Sequence, residues 1–460
     1  MLKDVNIQQA VHESMPSLLI ESAQVLAGDE LTTAHIFLEN GMISSISKLR
    51  PNETADSKID ASGLIALPGM IDAHVHLRDL EYSYKETFET GTRAAAAGGY
   101  TTVFDMPNSR PPTVSTSNLA DKMAKAEGRL YSNVAFQGAL VEDSNEVRRM
   151  VEMGAIAFKL YLNKALITFD SSSQNDLMNA LQAAKEADAI VTVHAEDGDS
   201  IRKSQQESVA RGRVSIHDFL KAHSPQFEVY AVRRILGLGS KLGLRIHICH
   251  ITVPEAVKLV RMTPNATCEA SAHHLLLNQT VFRGQKTLAI CVPPIRGEVN
   301  RNGLWKLFVK GEVDILASDH APHTLEEKTK ENAWEAASGV PGLETSLPVM
   351  FTQVSLGKLS MRRLAEVTAA LPAKLFHLPR KGQLKKGYDA DIALVDPKAK
   401  TRVNPEAFES KAKYSPFKGY RCVGTAAYTI VNGALVAERG RIVGPAVGRV
   451  TKSDTACSSS

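Results

Sequence analysis

Cysteine is scarce in this chain and badly placed for cross-linking. Five occur in 460 residues, at 249, 268, 291, 422 and 457, with no CxxC pair among them. Such spacing gives no disulfide framework and suits a reducing compartment. Excess charge is lacking too: 54 Lys and Arg against 50 Asp and Glu leave a net charge of +4. That is too slight to argue for nucleic acid or an anionic membrane. No apolar run approaches the roughly 18 residues of a membrane-spanning helix. Residues 1–17 lack the basic-then-apolar order of a secretory signal, so a cytoplasmic location is expected. No GxGxxG or GxxxxGK loop follows any apolar run, which argues against a phosphate-cradling turn.

What is present is an ordinary soluble composition, 43% apolar and 23% charged. The length suits one large barrel-type domain with an accessory domain, or two to three modest ones. Residues 17–66 and 387–446 alternate short β-type runs with Gly, Asn and Asp turns, as antiparallel strands do. Two such segments flanking a helix-rich middle predict one sandwich built from both chain ends, 1–66 with 381–447. Residues 448–460 read as a frayed, disordered tail.

Between them, residues 67–380 carry eight apolar runs: MIDAHVH, YTTVFDM, NVAFQGAL, AIAFKLYL, AIVTVHAE, LRIHICH, NATCEAS and VDILASDH. Helical patterns separate several of these, which predicts an α/β fold of the (β/α)8 type. A doubly wound open sheet is the competing topology. In a barrel, catalytic groups come from the C-terminal ends of several strands. The runs end in such groups: His74 and His76, Lys159, His194, His247 and His250, and Asp319 with His320. Period two puts His74 and His76 on one strand face. Neutral imidazoles and a carboxylate suit zinc, and this many ligands suit two ions about 3.5–4 Å apart. Each residue has a plainer reading as well. Asp319 could cap a helical turn, and Lys159 could snorkel to the rim.

The motifs HVHLR, MPN (106–108), KLYLN (159–163), VHAE, HICH, CEASAHH, ASDHAPHTLEEK (317–328) and GVPGLET (339–345) closely resemble those of dihydroorotases, metal-dependent members of the amidohydrolase superfamily. The resemblance runs from about residue 60 to 380, and the flanks fit that superfamily's composite sandwich. It implies two Zn2+ ions, one held by His74, His76 and Asp319, the other by His194 and His250. Lys159, carried as N6-carboxylysine, would bridge them. Arg78, Asn108 and His323 would hold the substrate, with the backbone at Pro341 and Gly342 closing around the ring. Residues 321–342 would form a mobile lid.

The implied reaction is the reversible cyclisation of N-carbamoyl-L-aspartate to L-dihydroorotate in pyrimidine synthesis, with Asp319 carrying the proton. Arg78 has a physical reason to be present, since guanidinium reads a carboxylate bidentately. The resemblance also raises a homodimer and association with aspartate transcarbamoylase as partners beyond the small-molecule substrate. An allantoinase or dihydropyrimidinase would share the metal ligands, but its ring lacks the carboxylate. A non-catalytic scaffold would typically lose ligands, and this chain keeps all six.

Three departures from the usual motifs stand out. Asp79-Leu80-Glu81 replaces Glu-Pro-Gly, Ala272 stands where Pro is common, and Val292 stands where Asn is common. The last bears on ring selectivity. Cys249 and Glu269 match positions that join a further zinc in some relatives; Cys249 also reads as an ordinary buried thiol.

Overall fold

The computed structural model describes residues 16–453 except 164, 165 and 167. Eight parallel strands form the barrel: β1 (Met70–Val75), β2 (Tyr100–Asp105), β3 (Asn133–Ala139), β4 (Ala157–Tyr161), β5 (Ile190–His194), β6 (Arg245–Ile248), β7 (Ala266–Ala270) and β8 (Ile315–Leu316). They pair in sequence order, and all eight expected runs are strands. The open-sheet alternative fails at the closure. Val75 of β1 bridges His320, just beyond β8, in parallel sense. His76 N–H donates to His320 O at 2.8 Å, and Ser318 N–H donates to Asp72 Oδ1 at 3.0 Å.

The strands are buried on both faces, as expected of a parallel barrel ringed by helices. The helices start where the sequence supplies caps. Thr87 closes a capping box on Phe88–Ala97, and the Asp143 carboxylate accepts from the first turn of Ser144–Met153. Left-handed Gly154 and Gly243 end two of them. Inside the barrel, Ile71, Phe104, Ala135, Ala157, Ile190 and Ile315 cluster with Phe376 and Leu378. Phe376 meets Phe104 and His247 edge to face, so the interior below the polar strand ends is filled.

The chain ends share one nine-stranded sheet, as expected. Its join is Ile65–Pro68 against Ile392–Arg402, with Leu67 opposite Ala393. The sheet is not wholly antiparallel: Leu18–Ala27 pairs in parallel with both Ser57–Asp60 and Ile65–Pro68. Residues 448–453, expected in the frayed tail, are instead hydrogen-bonded under the barrel. Thr451 N–H donates to Val134 O, and Gly448 N–H to Leu130 O, both at 2.8 Å. Residues 454–460, the rest of that tail, and most of 1–17 lie outside the described residues. Among the described residues, no helix is long and apolar enough to cross a membrane.

Candidate active site

The polar ends of the strands meet at the C-terminal mouth of the barrel. His74 on β1, His76 beyond it and Asp319 beyond β8 place ligand atoms within 4.8 Å of one another, all buried. His194 ends β5, and its Nδ1 lies 3.0 Å from Nε2 of His250, beyond β6. The His74 and His250 rings are 5.1 Å apart, which brings the two pairs together. Lys159 on β4 is 2% exposed, with Nζ 3.4 Å from His74 Nε2 and 2.9 Å from Cys249 Sγ. It points into the site and does not snorkel. No carboxylate among the described residues pairs with it.

The tautomers follow from the outer partners. His76 Nδ1 donates to Asn108 Oδ1 at 2.6 Å, and His74 Nδ1 donates to Glu269 Oε1. When the rings are neutral, each Nε2 therefore presents a lone pair. Both lone pairs face the same carboxylate oxygen, Asp319 Oδ1, at 3.5 and 3.4 Å. Three electron-rich atoms around one point repel unless a cation lies between them. Zinc bonds of about 2.0–2.1 Å in tetrahedral array would space such donors about 3.3 Å apart. The residues present therefore fit a metal ion, and the carboxylates behind each His are the usual orienting partners.

The electrostatics agree. Burial and nearby Lys159 oppose charge on His74, but Glu269 and Asp319 outweigh them and push it up to about 10. That position favours a positive charge, whether proton or metal. Burial takes His76 down to about 3 despite Asp319, and it lowers His194 and His250 as well. Neutral imidazoles are the ligating form. Asp319 is held well below the carboxylate range: burial raises it, but His74, His76 and His250 prevail.

The backbone is strained at these positions. Arg78, Asp79 and Leu80 have φ of 62°, 34° and 52°, with His250 at 35° and Asp319 at 49°. Left-handed non-glycine residues cost energy and gather where function requires an unusual aim. Asp79 stabilises its own turn: its carboxylate accepts from Leu80 N at 2.6 Å and Phe88 N at 2.7 Å. The departure at Asp79 thus supplies the anchor that aims Arg78.

Arg78 is buried, and no carboxylate among the described residues lies within ion-pair distance of it. Its Nη2 is 3.2 Å from His323 Nε2, and its Nε donates to Pro322 O at 3.3 Å. On the other side of His323, Lys85 Nζ lies 3.1 Å from Nδ1 and 2.8 Å from Glu327. Burial, Arg78 and Lys85 drive the His323 pKa far down. This corner of donors holds more positive than negative charge.

Gly342 caps helix Leu343–Ser355. Its N–H donates to His320 Nδ1 at 3.2 Å, and its carbonyl accepts from Ser346 N. A Cβ there would stand 2.8 Å from the Ser318 backbone oxygen. Next to it, Pro341 is buried. The expected mobile lid at 321–342 is a packed segment. Val340 bridges His320, and fully buried Lys328 donates from Nζ to Ile290 O and Ala337 O at 2.7 and 2.8 Å.

Sequence reasoning missed the orienting carboxylates. Glu196 Oε2 accepts from His194 Nε2 at 2.8 Å, and Glu269 serves His74 and His247. Period two was the available signal for Glu196, two residues after its histidine. Cys249 and Glu269 do gather around His74, with ligand atoms within 4.8 Å.

Residues 65–436 match the Amidohydrolase family. A dihydroorotase of Halobacterium salinarum is 37% identical over 80% of this chain and 86% of its own length. An allantoinase of Salmonella choleraesuis is 33% identical over 91% and 94%. The structure of an L-hydantoinase (dihydropyrimidinase) from Arthrobacter aurescens superposes with a TM-score of 0.91 at 31% identity. It covers 95% of this chain and 100% of that one.

Proposed function

The chain belongs to the amidohydrolase family as a cyclic-amide hydrolase, and from that premise we propose that it is a dihydroorotase. The reversible reaction would convert N-carbamoyl-L-aspartate to L-dihydroorotate. One observation carries the choice of ring: a buried, carboxylate-free Arg78 beside His323 and Lys85. Dihydroorotate brings a carboxylate for Arg78, whose neighbour Lys85 is already paired with Glu327, and a guanidinium can hold it bidentately.

His74, His76 and Asp319 would hold one zinc and His194 and His250 a second, with Lys159 as N6-carboxylysine between them. Such a pair supplies Lewis acidity and an acidified water. The protein's own part is positional and protic. In the hydrolytic direction Asp319, held ionised, accepts a proton from the attacking water at its carboxylate and gives it to the departing ring nitrogen; in cyclisation the same proton travels the other way. Asn108 holds His76 by its carbonyl end and leaves its amide N–H groups for substrate. Arg78 fixes the ring by its carboxylate, which for a cyclisation contributes through orientation. Pro341 and Gly342 form a wall without bulky side chains.

Arg78→Met tests the assignment. Loss of a charge-assisted pair of about 2–5 kcal/mol should lower kcat/KM for dihydroorotate roughly thirtyfold to several-thousandfold. Zinc content should not change, and carboxylate-free rings should remain poor substrates of both proteins. The competing reading, an allantoinase or dihydropyrimidinase, is favoured by near-equal identity to an allantoinase and by Val292. Wild-type protein that turns over allantoin or dihydrouracil better than dihydroorotate would establish that reading instead.

A further inference from the structure

Beside Asp319 the barrel wall holds a second group of ligand-type side chains that the reaction above does not use. His273 and His274 lie on the short helix Ala272–Leu276 after β7, and Cys291 lies on the following loop. Their ligand atoms are all within 4.8 Å of one another. They are 2%, 3% and 1% exposed. His273 Nε2 and His274 Nδ1 have no hydrogen-bond partner. A buried polar atom left without a partner costs about 1–3 kcal/mol, so the orphaned His273 Nε2 in this cluster calls for an explanation.

The spacing supplies one. Cys291 Sγ lies 3.8 Å from His274 Nε2. Pro293 O accepts from that nitrogen at 3.0 Å and from Sγ at 3.3 Å, hydrogen bonds whose place an ion would take. A tetrahedral ion bound through nitrogen at about 2.0–2.1 Å and sulfur at about 2.3 Å separates neighbouring donors by about 3.3–3.6 Å. We propose that His273, His274 and Cys291 form a metal site distinct from the catalytic group, suited to a thiophilic cation such as Zn2+, with Pro293 O as a fourth donor.

Protonation supports this geometry. Burial holds His273 down to about 4 and keeps His274 neutral. Burial also pushes the Cys291 thiol up to about 12, so a thiolate forms there only with an ion to stabilise it. The role is mechanical. An ion here fastens the helix after β7 to the loop beside Ile290, whose carbonyl receives both Lys328 Nζ and Gly339 N–H. It would fix the floor beneath residues 321–342, whichever cyclic amide the enzyme takes.

Cobalt substitution of the full chain tests the site without reference to activity. The catalytic ligands are nitrogen and oxygen donors, so a near-ultraviolet thiolate-to-cobalt band reports a cysteine ligand. Wild type should show the band. Cys291→Ser should lose the band and about one metal equivalent per chain, while Cys249→Ser keeps the band. His273→Gln should weaken metal retention at this site alone. A cobalt-loaded wild type without a thiolate band would overturn the proposal, whether or not the variants fold. So would a band abolished by Cys249→Ser and kept by Cys291→Ser.

Discussion

Two imidazole lone pairs aimed at one carboxylate oxygen define the chemistry at the scale of single residues. His74 and His76 are locked in that aim by Glu269 and Asn108. Glu269→Gln should therefore weaken metal affinity about 10–100-fold without removing a catalytic ligand, as measured by chelator competition. Lys159 lies in the same dry cluster with no carboxylate partner among the described residues. Lys159→Ala should lose most activity and part of the metal if Lys159 bridges the proposed ions, because no neighbouring side chain among the described residues would replace it. Lys159→Glu should recover some of both. Metal analysis by plasma emission with a carbamoyl aspartate assay checks this, and wild-type behaviour of the alanine variant would end the carboxylysine reading. The gathering of the proposed ligands was legible because period two places them at the ends of apolar runs. The orienting partner of His74 was not, since Glu269 lies 195 residues away in sequence and only the closed barrel brings them together. The role of Asp72, which accepts from Ser318 N–H across the closure, was hidden for the same reason.

At the scale of elements, the eight strands were legible as short apolar runs, whereas residues 321–342 read as a long charged loop. Its charges mislead because Lys328 is buried within it, donating to two backbone carbonyls. Burial pushes the Lys328 amine down to about 7 from 10.5. Between those values the unfolded chain binds this proton more readily than the folded chain. The cost of burying the ammonium is therefore full below about pH 7 and is relieved as pH rises towards 10.5. The stability of wild type relative to Lys328→Met should then climb with pH across that window, by up to about 1.4 kcal/mol per unit. Urea unfolding of both proteins at pH 7, 8 and 9 measures the difference, in which other titrations cancel. A constant difference would mean that the two carbonyls fully compensate the burial.

Over the whole molecule, the sheet shared by the chain ends does more than cover the barrel. Asn432, in the turn after Arg421–Val431, donates to Asn133 Oδ1 at 2.9 Å and to Val447 O at 2.8 Å, and its N–H donates to Asp391 at 2.9 Å. Lys381 completes the network with Asp391 at 2.5 Å. The chain then continues beneath β3, where Val134 N–H donates to Arg449 O at 2.9 Å and Arg449 N–H to Asn133 Oδ1 at 3.0 Å. The polar composition after residue 447 suggested fraying, because a sequence does not show that the open end of β3 supplies partners. Ending the chain at Pro445 should leave the buried Val134 N–H without its acceptor and take the Thr451 donor from Val134 O. At about 1–3 kcal/mol for each buried group, the loss should be on the order of a few kcal/mol. A chain ending at Ser453 is the reference, and the shorter chain should melt roughly 5 °C or more below it. Zinc content should be equal in the two, since this junction lies at the strand starts and the ligands lie at the strand ends. Equal melting points would show that the strand-like contacts of residues 448–453 add nothing to the barrel. A shared loss of zinc would show instead that the base of β3 and the ligand at the end of β4 unfold together.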